Sequence, residues 1–392
     1  MRRISAHYIF PGDGTLLKYG ILEVDTDGTV LNIRDTAGIP EESHGVEFYN
    51  GILVPGLVNA HCHLELSHLK GKVKSAPGLV PFLNAVLAFR SEICPYGVME
   101  QADLKMESEG VVAVGDISNT DHSFPVKQKS RLYYHTFIEG ASMDPLCSEK
   151  VMTRLRNLVG GLEQYGLKGS LCPHAPYSVS DELFEKLLEE AIHTGLPVSV
   201  HHQESFHEDL LFLKKEGDFV PFIEQQYPGF KTWIPPGKTS FDHLLLYFLR
   251  FPRLLLVHNT FSKPEKLGSI PGLSDSVALV LCPRSNLMLE GRLPDVEGLY
   301  RTGLRIALGT DSLASNHELS ILSEMKVLQD AFPEIPLTTL LRWATLNGAW
   351  ALGLESCLGS FTPGFRPGIN LIENVDLQAL RLLEKTRIRR IL

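Results

Sequence analysis

The sequence predicts an α/β fold, because short apolar runs alternate with helix-like stretches through the middle of the chain. Strands that alternate with helices pair into a parallel sheet. Eight such runs in one unit favour a closed (β/α)8 TIM barrel. The alternative is an open doubly wound sheet, which would need a glycine-rich phosphate turn, and no such turn stands out. The eight runs are Leu53–Val58, Val111–Asp116, Leu132–Glu139, Gly169–Pro173, Leu196–Val200, Leu254–Val257, Val277–Cys282 and Arg305–Gly309.

The clearest intervening helix is predicted from residue 181 to residue 190. Ser180 precedes it as a favoured N-cap, and Gly195 follows its end. Leu183 and Leu187 are four residues apart, which places both on one face of a helix. This face is expected to pack against the sheet.

The two ends of the chain differ from its middle. Residues 1–52 and 356–392 contain strand-like pieces separated by glycine and aspartate turns, among them Gly20–Val24, Thr29–Ile33 and Gly368–Ile372. We expect these two ends to form a small β-sandwich domain, with residues 53–355 forming the barrel. The stretch from Phe206 to Asp242 is expected to be an insertion that serves as a lid or substrate loop. Four of its aromatic residues could stack on a ligand or pack the lid: Phe212, Phe219, Trp233 and Phe241.

The net charge, the apolar runs and the cysteines of the chain limit the classes of function that it could have. The chain has 392 residues and a net charge of −9, which disfavours binding to nucleic acid or to an anionic membrane. No apolar run approaches the length of a transmembrane helix. The six cysteines have no framework spacing, which predicts reduced thiols and a cytoplasmic protein.

Side chains that bind metals follow three of the predicted strands. His61 and His63 follow the first, His201 the fifth and Asp311 the eighth. Residues two apart on a strand face the same side, and the carboxyl ends of barrel strands meet at one face. One metal ion bound at that face would account for all four residues. Taken singly, a His-x-His pair can be a coincidence of composition, and an aspartate after Gly-Thr can be a turn residue.

Three further side chains at strand ends could perform chemistry. Glu204 lies three residues after His201, where an acid can shuttle protons beside a metal; it could also be a helix N-terminal acid. His258 ends the sixth strand and could steady a developing oxyanion or be a core histidine. His174 ends the fourth strand, where it is better placed for substrate than for metal, or is a loop residue.

These segments together resemble the amidohydrolase superfamily over residues 50–370. Within it, they resemble the hydrolytic deaminases of purines and related heterocycles, a branch that includes aminofutalosine, S-adenosylhomocysteine/methylthioadenosine and guanine deaminases and triazine chlorohydrolases. The stretch from Asn59 to Ser67 is most similar to aminofutalosine deaminases. The segments that carry the resemblance are Val54–Glu65, His174–Ser180, His201–Ser205, Cys282–Asn286, Leu308–Ser312 and Ala344–Gly353.

The resemblance implies one divalent metal ion, Zn²⁺ in most members and Fe²⁺ in some. Its ligands would be His61, His63, His201 and Asp311. Binuclear members carry a carboxylated lysine on the fourth strand, and the run Gly169–Pro173 has none, so a mononuclear site is expected. The resemblance also implies catalytic roles in proton transfer and hydroxide orientation for Glu204, His258 and Asp311, and a substrate contact for His174.

The resulting hypothesis is a metal-dependent hydrolytic deaminase. It would release ammonia from an aminated purine-type heterocycle or nucleoside, such as aminofutalosine, through attack of metal-bound hydroxide. One alternative is a hydrolase that opens a cyclic amide or displaces a ring halide with the same hydroxide. An alternative of another class is a metal-holding binding protein without catalysis. The expected partner is a small heterocyclic molecule, and a homodimer is common in the family.

Overall fold

The computed structural model describes residues 1–40, 45–73, 78–89 and 91–392. The strands in this part of the chain are β1 (Arg2–Ile9), β2 (Leu17–Lys18), β3 (Ile21–Val24), β4 (Val30–Arg34), β5 (Val46–Pro55), β6 (Leu57–Cys62), β7 (Val111–Ser118), β8 (Tyr133–Gly140), β9 (Lys168–Pro173), β10 (Val198–His202), β11 (Leu254–His258), β12 (Val277–Leu281), β13 (Arg305–Leu308), β14 (Ile369–Glu373) and β15 (Arg387–Arg390).

The α-helices of the described residues are α1 (Leu79–Ala88), α2 (Tyr96–Ser108), α3 (Phe124–Lys129), α4 (Ser148–Gln164), α5 (Asp181–Thr194), α6 (Phe206–Lys214), α7 (Phe219–Gln226), α8 (Ser240–Phe248), α9 (Pro264–Gly268), α10 (Leu273–Ser276), α11 (Pro283–Glu290), α12 (Val296–Arg301), α13 (Ile321–Ala331), α14 (Leu337–Arg342) and α15 (Gly348–Ala351). Short 3₁₀ turns cover Leu64–Leu69, Pro145–Cys147, Pro176–Ser178 and Pro228–Thr232, and a π-helical turn covers Trp343–Asn347.

Eight parallel strands form the centre of the molecule, as the alternation of runs and helices predicts. They make two four-stranded sheets, β6-β7-β8-β9 and β10-β11-β12-β13. At one pair of outer strands, Cys62 and Asp311 form a parallel bridge and Thr310 N donates to His61 O at 3.0 Å. At the other pair, His201 N donates to His174 O at 2.9 Å. The two sheets therefore meet at both pairs of outer strands.

The first predicted run, residues 53–58, belongs to two strands rather than one. β5 ends at Pro55 and β6 begins at Leu57, so the chain passes from one sheet to another at Gly56. A Cβ atom on Gly56 would lie 2.2 Å from Val112 Cγ1 and 2.5 Å from Pro367 O. The crossing point is thus too crowded for any side chain.

Both ends of the chain join one seven-stranded sheet. Its order is β15-β14-β5-β1-β3-β4, with β2 paired to β1. β14 pairs antiparallel with the second half of β5, which is how the C-terminal segment reaches the N-terminal one. β5 runs across the predicted boundary at residues 52 and 53. A second sheet layer, which a β-sandwich would need, and the domain boundaries themselves stay predictions.

The predicted helix at 181–190 is confirmed as α5, which continues to Thr194. Ser180 Oγ accepts the N–H of Leu183, and Gly195 ends the helix with φ of 67°. Leu183 and Leu187 are fully buried against the sheet. Among the described residues, no helix is long and apolar enough to cross a membrane.

The stretch from Phe206 to Asp242 contains three helices, α6, α7 and the start of α8, and packs against α1 and the turn after β9. Phe212 and Phe219 are buried in an apolar cluster that includes Leu79 of α1 and Tyr177. The rings of Phe219 and Tyr177 are stacked, with centroids 4.1 Å apart and planes 20° apart. Apolar packing therefore accounts for both phenylalanines, and the role of this stretch as a lid or substrate loop stays a prediction.

Candidate metal centre

The end of β6 places His61 and His63 on the same side of the strand. Their Nε2 atoms lie 3.1 Å apart. Cys62, between them, is fully buried and faces the other side, as the alternation of strand side chains requires. Gly309 packs against His61, because a Cβ atom on this glycine would lie 2.8 Å from His61 Cβ. The position of His61 thus depends on a glycine at the end of β13.

His201 and Asp311 reach the same point from β10 and from the turn after β13. His201 Nε2 lies 3.3 Å from His63 Nε2. Asp311 Oδ1 lies 3.4 Å from His63 Nε2 and 3.8 Å from His61 Nε2. All four residues predicted as metal ligands therefore come together, although they are spread over 250 residues of sequence.

Burial favours the neutral rings of two histidines of this cluster, His61 and His201. His201 Nδ1 donates to His174 O at 2.8 Å, so the lone pair of Nε2 faces His63. Burial, followed by the neighbouring His174, lowers the pKa of His201 to about 3. Burial also puts the pKa of His61 well below 6.5. A metal needs such deprotonated ring nitrogens as ligands.

The carboxylate of Asp311 is held in its ionised form. Burial alone would raise its pKa, but His63, His258 and hydrogen bonds from two serines bring the pKa down to about 2. Ser285 Oγ donates to Asp311 Oδ2 at 2.7 Å, and Ser315 Oγ donates to the same oxygen at 2.5 Å. Both bonds occupy Oδ2 and leave Oδ1 facing the histidines.

Glu204 and His258 form a second pair beside the cluster. Glu204 Oε1 lies 3.4 Å from His258 Nε2, which is buried and makes no hydrogen bond. His258 Nδ1 donates to Asn286 Oδ1 at 3.0 Å, and the amide of Asn286 is oriented by its own bond to His258 O. Burial, then the charges of Asp311 and Glu290, raise the pKa of Glu204 well above 4.5.

His174 lies next to the cluster rather than in it. Its ring centroid is 4.9 Å from that of His201, and its Nδ1 atom is 2.6 Å from Ser178 Oγ. Glu139, at the end of β8, is a neighbour that the sequence reasoning did not single out. Its Oε1 atom is buried without a hydrogen bond, 3.6 Å from His201 Nδ1, and Asn119 donates to its Oε2 at 3.0 Å.

The backbone is strained where these side chains leave their strands. Positive φ angles occur at Gln203, His258, Asn259 and Asp311, with values of 49°, 74°, 55° and 57°. Residues with a side chain adopt this region at a cost of order 1–3 kcal/mol, and such residues concentrate at functional sites. Two of these four residues, His258 and Asp311, are among those predicted to act, and Gln203 immediately precedes a third, Glu204.

Sequence reasoning missed the residues that support the cluster. Ser285 and Asn286 lie in the segment that carries the family resemblance, and their position one turn into α11 was the available signal. Glu139 ends the third predicted run, so its strand-end position was the signal available for it. Ser315 follows Asp311 by only four residues, so its contact with that carboxylate is local.

The cluster fits a divalent metal ion. Ligand nitrogens at about 2.0–2.1 Å from zinc in tetrahedral geometry lie about 3.3 Å from one another. The Nε2 separations of 3.1 and 3.3 Å and the His63–Asp311 separation of 3.4 Å match that spacing. The fourth strand, β9, has a single lysine, Lys168, at its exposed amino end, away from the cluster.

The sequence is similar to one family model and to a known deaminase. The sequence model described as the amidohydrolase family matches residues 52–388. An adenosine deaminase of Helicobacter pylori is 30% identical over 318 residues, which cover 79% of this chain and 76% of the relative.

Solved structures show the same fold. The aminofutalosine deaminase of Helicobacter pylori, in complex with methylthio-coformycin, superposes with a TM-score of 0.83 at 23% identity and full coverage of both chains. An atrazine chlorohydrolase of Arthrobacter aurescens complexed with zinc superposes with a TM-score of 0.74 at 17% identity, over 97% of this chain and 90% of the other. Both neighbours share the α/β architecture of this chain, which is of the TIM-barrel type.

Proposed function

We propose that this chain, which belongs to the amidohydrolase family, is a metal-dependent hydrolytic deaminase that releases ammonia from an adenine-type nucleoside. One observation supports this above the others. The ligand cluster of His61, His63, His201 and Asp311 lies against a separate acid–imidazole pair, Glu204 and His258. A metal-holding protein needs the cluster alone, whereas a hydrolase also needs side chains that move protons.

The scaffold of this site is proposed to be a closed (β/α)8 barrel. The hydrogen bonds between β6 and β13, and between His174 and His201, support closure. The four ligands would hold one divalent metal ion, with zinc favoured by the nitrogen-rich ligand set. When bound, this ion would lower the pKa of a water molecule towards neutrality and supply a nucleophile.

Asp311 and His258 prepare the attacking water. Asp311 Oδ1 is free to accept its proton, because both serines bind Oδ2. His258 donates its Nδ1 proton to Asn286, so Nε2 can accept a hydrogen bond from the same water and orient it. The same nitrogen would then accept a hydrogen bond from the hydroxyl group of the tetrahedral intermediate and keep that group oriented.

Glu204 handles the substrate. Burial raises the pKa of Glu204 well above 4.5, which favours its protonated form, and this acid can give its proton to a ring nitrogen of the substrate. Protonation makes the adjacent amino-bearing carbon more electrophilic. Water then adds to that carbon while Asp311 takes one of its protons. Asp311 passes this proton to the amino group, which leaves as ammonia, and the hydroxyl proton released as the ring carbonyl forms returns to Glu204. His174, whose Nδ1 atom is engaged by Ser178, would present Nε2 to the substrate.

The test is a release assay with the zinc-loaded protein. The panel contains adenosine, methylthioadenosine, S-adenosylhomocysteine and aminofutalosine, with guanine, cytosine, a cyclic amide and a chlorotriazine as comparison substrates. We expect ammonia from at least one adenine nucleoside. Chloride or a ring-opened acid without ammonia would assign a different hydrolase activity. Tightly bound zinc with no product from any substrate would assign a binding protein.

A further inference from the structure

A fully buried ion pair lies directly beneath the metal cluster. Lys127 Nζ of α3 is 2.6 Å from Asp116 Oδ2 of β7, and both side chains are completely shielded from solvent. The ammonium group also donates to Ser118 Oγ at 2.8 Å and to Thr136 Oγ1 at 3.1 Å. All three of its protons therefore have acceptors. Neither residue is one of the four proposed ligands, and neither has a part in the proposed proton transfers.

The second oxygen of Asp116 binds the segment that carries His63. Asp116 Oδ1 accepts the N–H of Leu64 at 2.7 Å, and Leu64 is the residue after His63. The register of β6 and β7 also pairs Asp116 with Cys62, the residue before His63. His63 precedes a 3₁₀ turn and gives it no side-chain cap, so Asp116 satisfies the first N–H of that turn from another strand.

A second carboxylate, that of Glu65, also holds the 3₁₀ turn that follows His63. The carboxylate of Glu65 accepts Asn119 N at 3.1 Å and Thr120 Oγ1 at 2.9 Å. β7 and the loop after it thus bind the 3₁₀ turn after β6 at two successive residues, Leu64 and Glu65. A single rotation of this turn would move His63 Nε2 away from His61 and His201.

The free energy of folding alone does not explain why a buried ion pair lies at this position. Removing two charges from water costs several kcal/mol per ion, and apolar pairs of similar volume are often as stable or more so. An apolar pair, however, would leave the N–H of Leu64 without an acceptor in the interior. The carboxylate of Asp116 is therefore needed to accept the N–H of Leu64. The ammonium group of Lys127 offsets the free-energy cost of burying that carboxylate.

We propose that Asp116 and Lys127 are positioning residues for the metal centre, which hold His63 in its binding orientation through the N–H of Leu64. The inference rests on the metal site of the proposed function. It predicts that metal affinity depends on the acceptor at position 116 and not on the buried charges themselves. Outer partners of metal ligands contribute about 10–100-fold in metal affinity.

Two double variants separate the acceptor from the charge. Asp116→Asn with Lys127→Met removes both charges but keeps an amide oxygen that can accept the N–H of Leu64. Asp116→Leu with Lys127→Met removes the charges and the acceptor together. Zinc affinity is measured by chelator competition, the cobalt-substituted protein gives a visible absorption spectrum, and urea denaturation reports folding stability.

We expect the Asn/Met variant to keep zinc affinity within about threefold of the wild type, since a neutral hydrogen bond remains. The Leu/Met variant should lose zinc affinity by about 10–100-fold and shift the cobalt bands. Equal zinc affinities and spectra for the two variants would overturn the proposal, whatever their stabilities. If the Leu/Met variant does not fold, Asp116→Glu decides on the same readouts, because its longer side chain displaces the acceptor while retaining the charge.

The outcome is distinct from a failure of the proposed function. A wild-type protein that binds no zinc, or releases no ammonia, would overturn that function. A wild-type protein that binds zinc while the Leu/Met and Asp116→Glu variants bind it equally well would overturn the positioning role alone.

Discussion

The two ends of the parallel strands differ in how their polar groups are satisfied. At the carboxyl ends, the strained Asp311 and His258 leave buried polar atoms facing one another, and His258 Nε2 lacks a hydrogen bond. At the amino ends, Arg253 precedes β11 and pairs with Glu355 through two hydrogen bonds of 2.9 and 2.8 Å. The ring of Trp350 lies 4.4 Å from the same guanidinium. The carboxyl ends, where the proposed site lies, thus have strained residues and an unpaired histidine nitrogen, whereas the amino end of β11 has a satisfied ion pair.

The largest effect is expected at Asp311, at the carboxyl ends. Asp311→Asn keeps the shape and the serine hydrogen bonds but removes the proton acceptor and a charged ligand. Ammonia release should fall by about 10²–10⁴-fold, the range of general-base catalysis, together with zinc affinity. The measurements are steady-state kinetics and zinc content. Near-wild-type turnover would remove Asp311 from the mechanism and weaken the contrast between the two ends.

The second largest effect is expected for Glu204→Gln, which should impair proton transfer without changing metal binding. The amide cannot give a proton to the ring nitrogen, so kcat should fall by about 10²-fold. Zinc affinity should stay at the wild-type value, because Glu204 is not one of the four proposed ligands and its Oε1 atom lies 3.4 Å from His258 Nε2. Kinetics and chelator competition on the same preparation check both statements. A variant that loses zinc instead would make Glu204 part of the ligand set.

The third prediction concerns the close packing beneath the ligands. Gly309→Ala would place a methyl group 2.8 Å from His61 Cβ and 3.0 Å from His61 O. Overpacking of this kind costs about 1–3 kcal/mol, and here it should also displace His61 and lower zinc affinity. Gly160→Ala in α4 is the matched control, since nothing lies within 4 Å of its added methyl group. Equal zinc affinities for the two variants would show that His61 tolerates the shift.

How much of this arrangement could be predicted depends on where the contacts lie in the sequence. His61, His63, His201 and Asp311 follow strands, and the topology of a parallel sheet brings strand ends together, so local patterns were sufficient. Lys127 could not be found in this way, because a lysine on a short helix normally predicts a solvated face. Its burial depends on Asp116, a residue of another element. The division of the first predicted run into β5 and β6 at Gly56 could not be predicted either, because it depends on contacts with Val112 and Pro367, which are distant in sequence.

The smallest effect is expected at the amino ends, where Glu355→Gln should change stability and leave catalysis alone. Burial would raise the pKa of Glu355, but the hydrogen bonds and charge of Arg253 hold it below 4.5. A carboxyl group with a lowered folded-state pKa adds stability above its unfolded pKa, and loses it as the pH falls through the folded value. The partly exposed pair should contribute about 0.5–1 kcal/mol at neutral pH.

Urea denaturation of wild type and Glu355→Gln at several pH values tests this assignment. The difference in the free energy of unfolding should be present at neutral pH and disappear in acid, below the lowered pKa of Glu355. The kcat value should be the same for both proteins, because the pair lies at the opposite end of β11 from His258. A pH-independent difference would assign the effect to packing on Trp350. A change in kcat would show that the two ends of the strands are coupled.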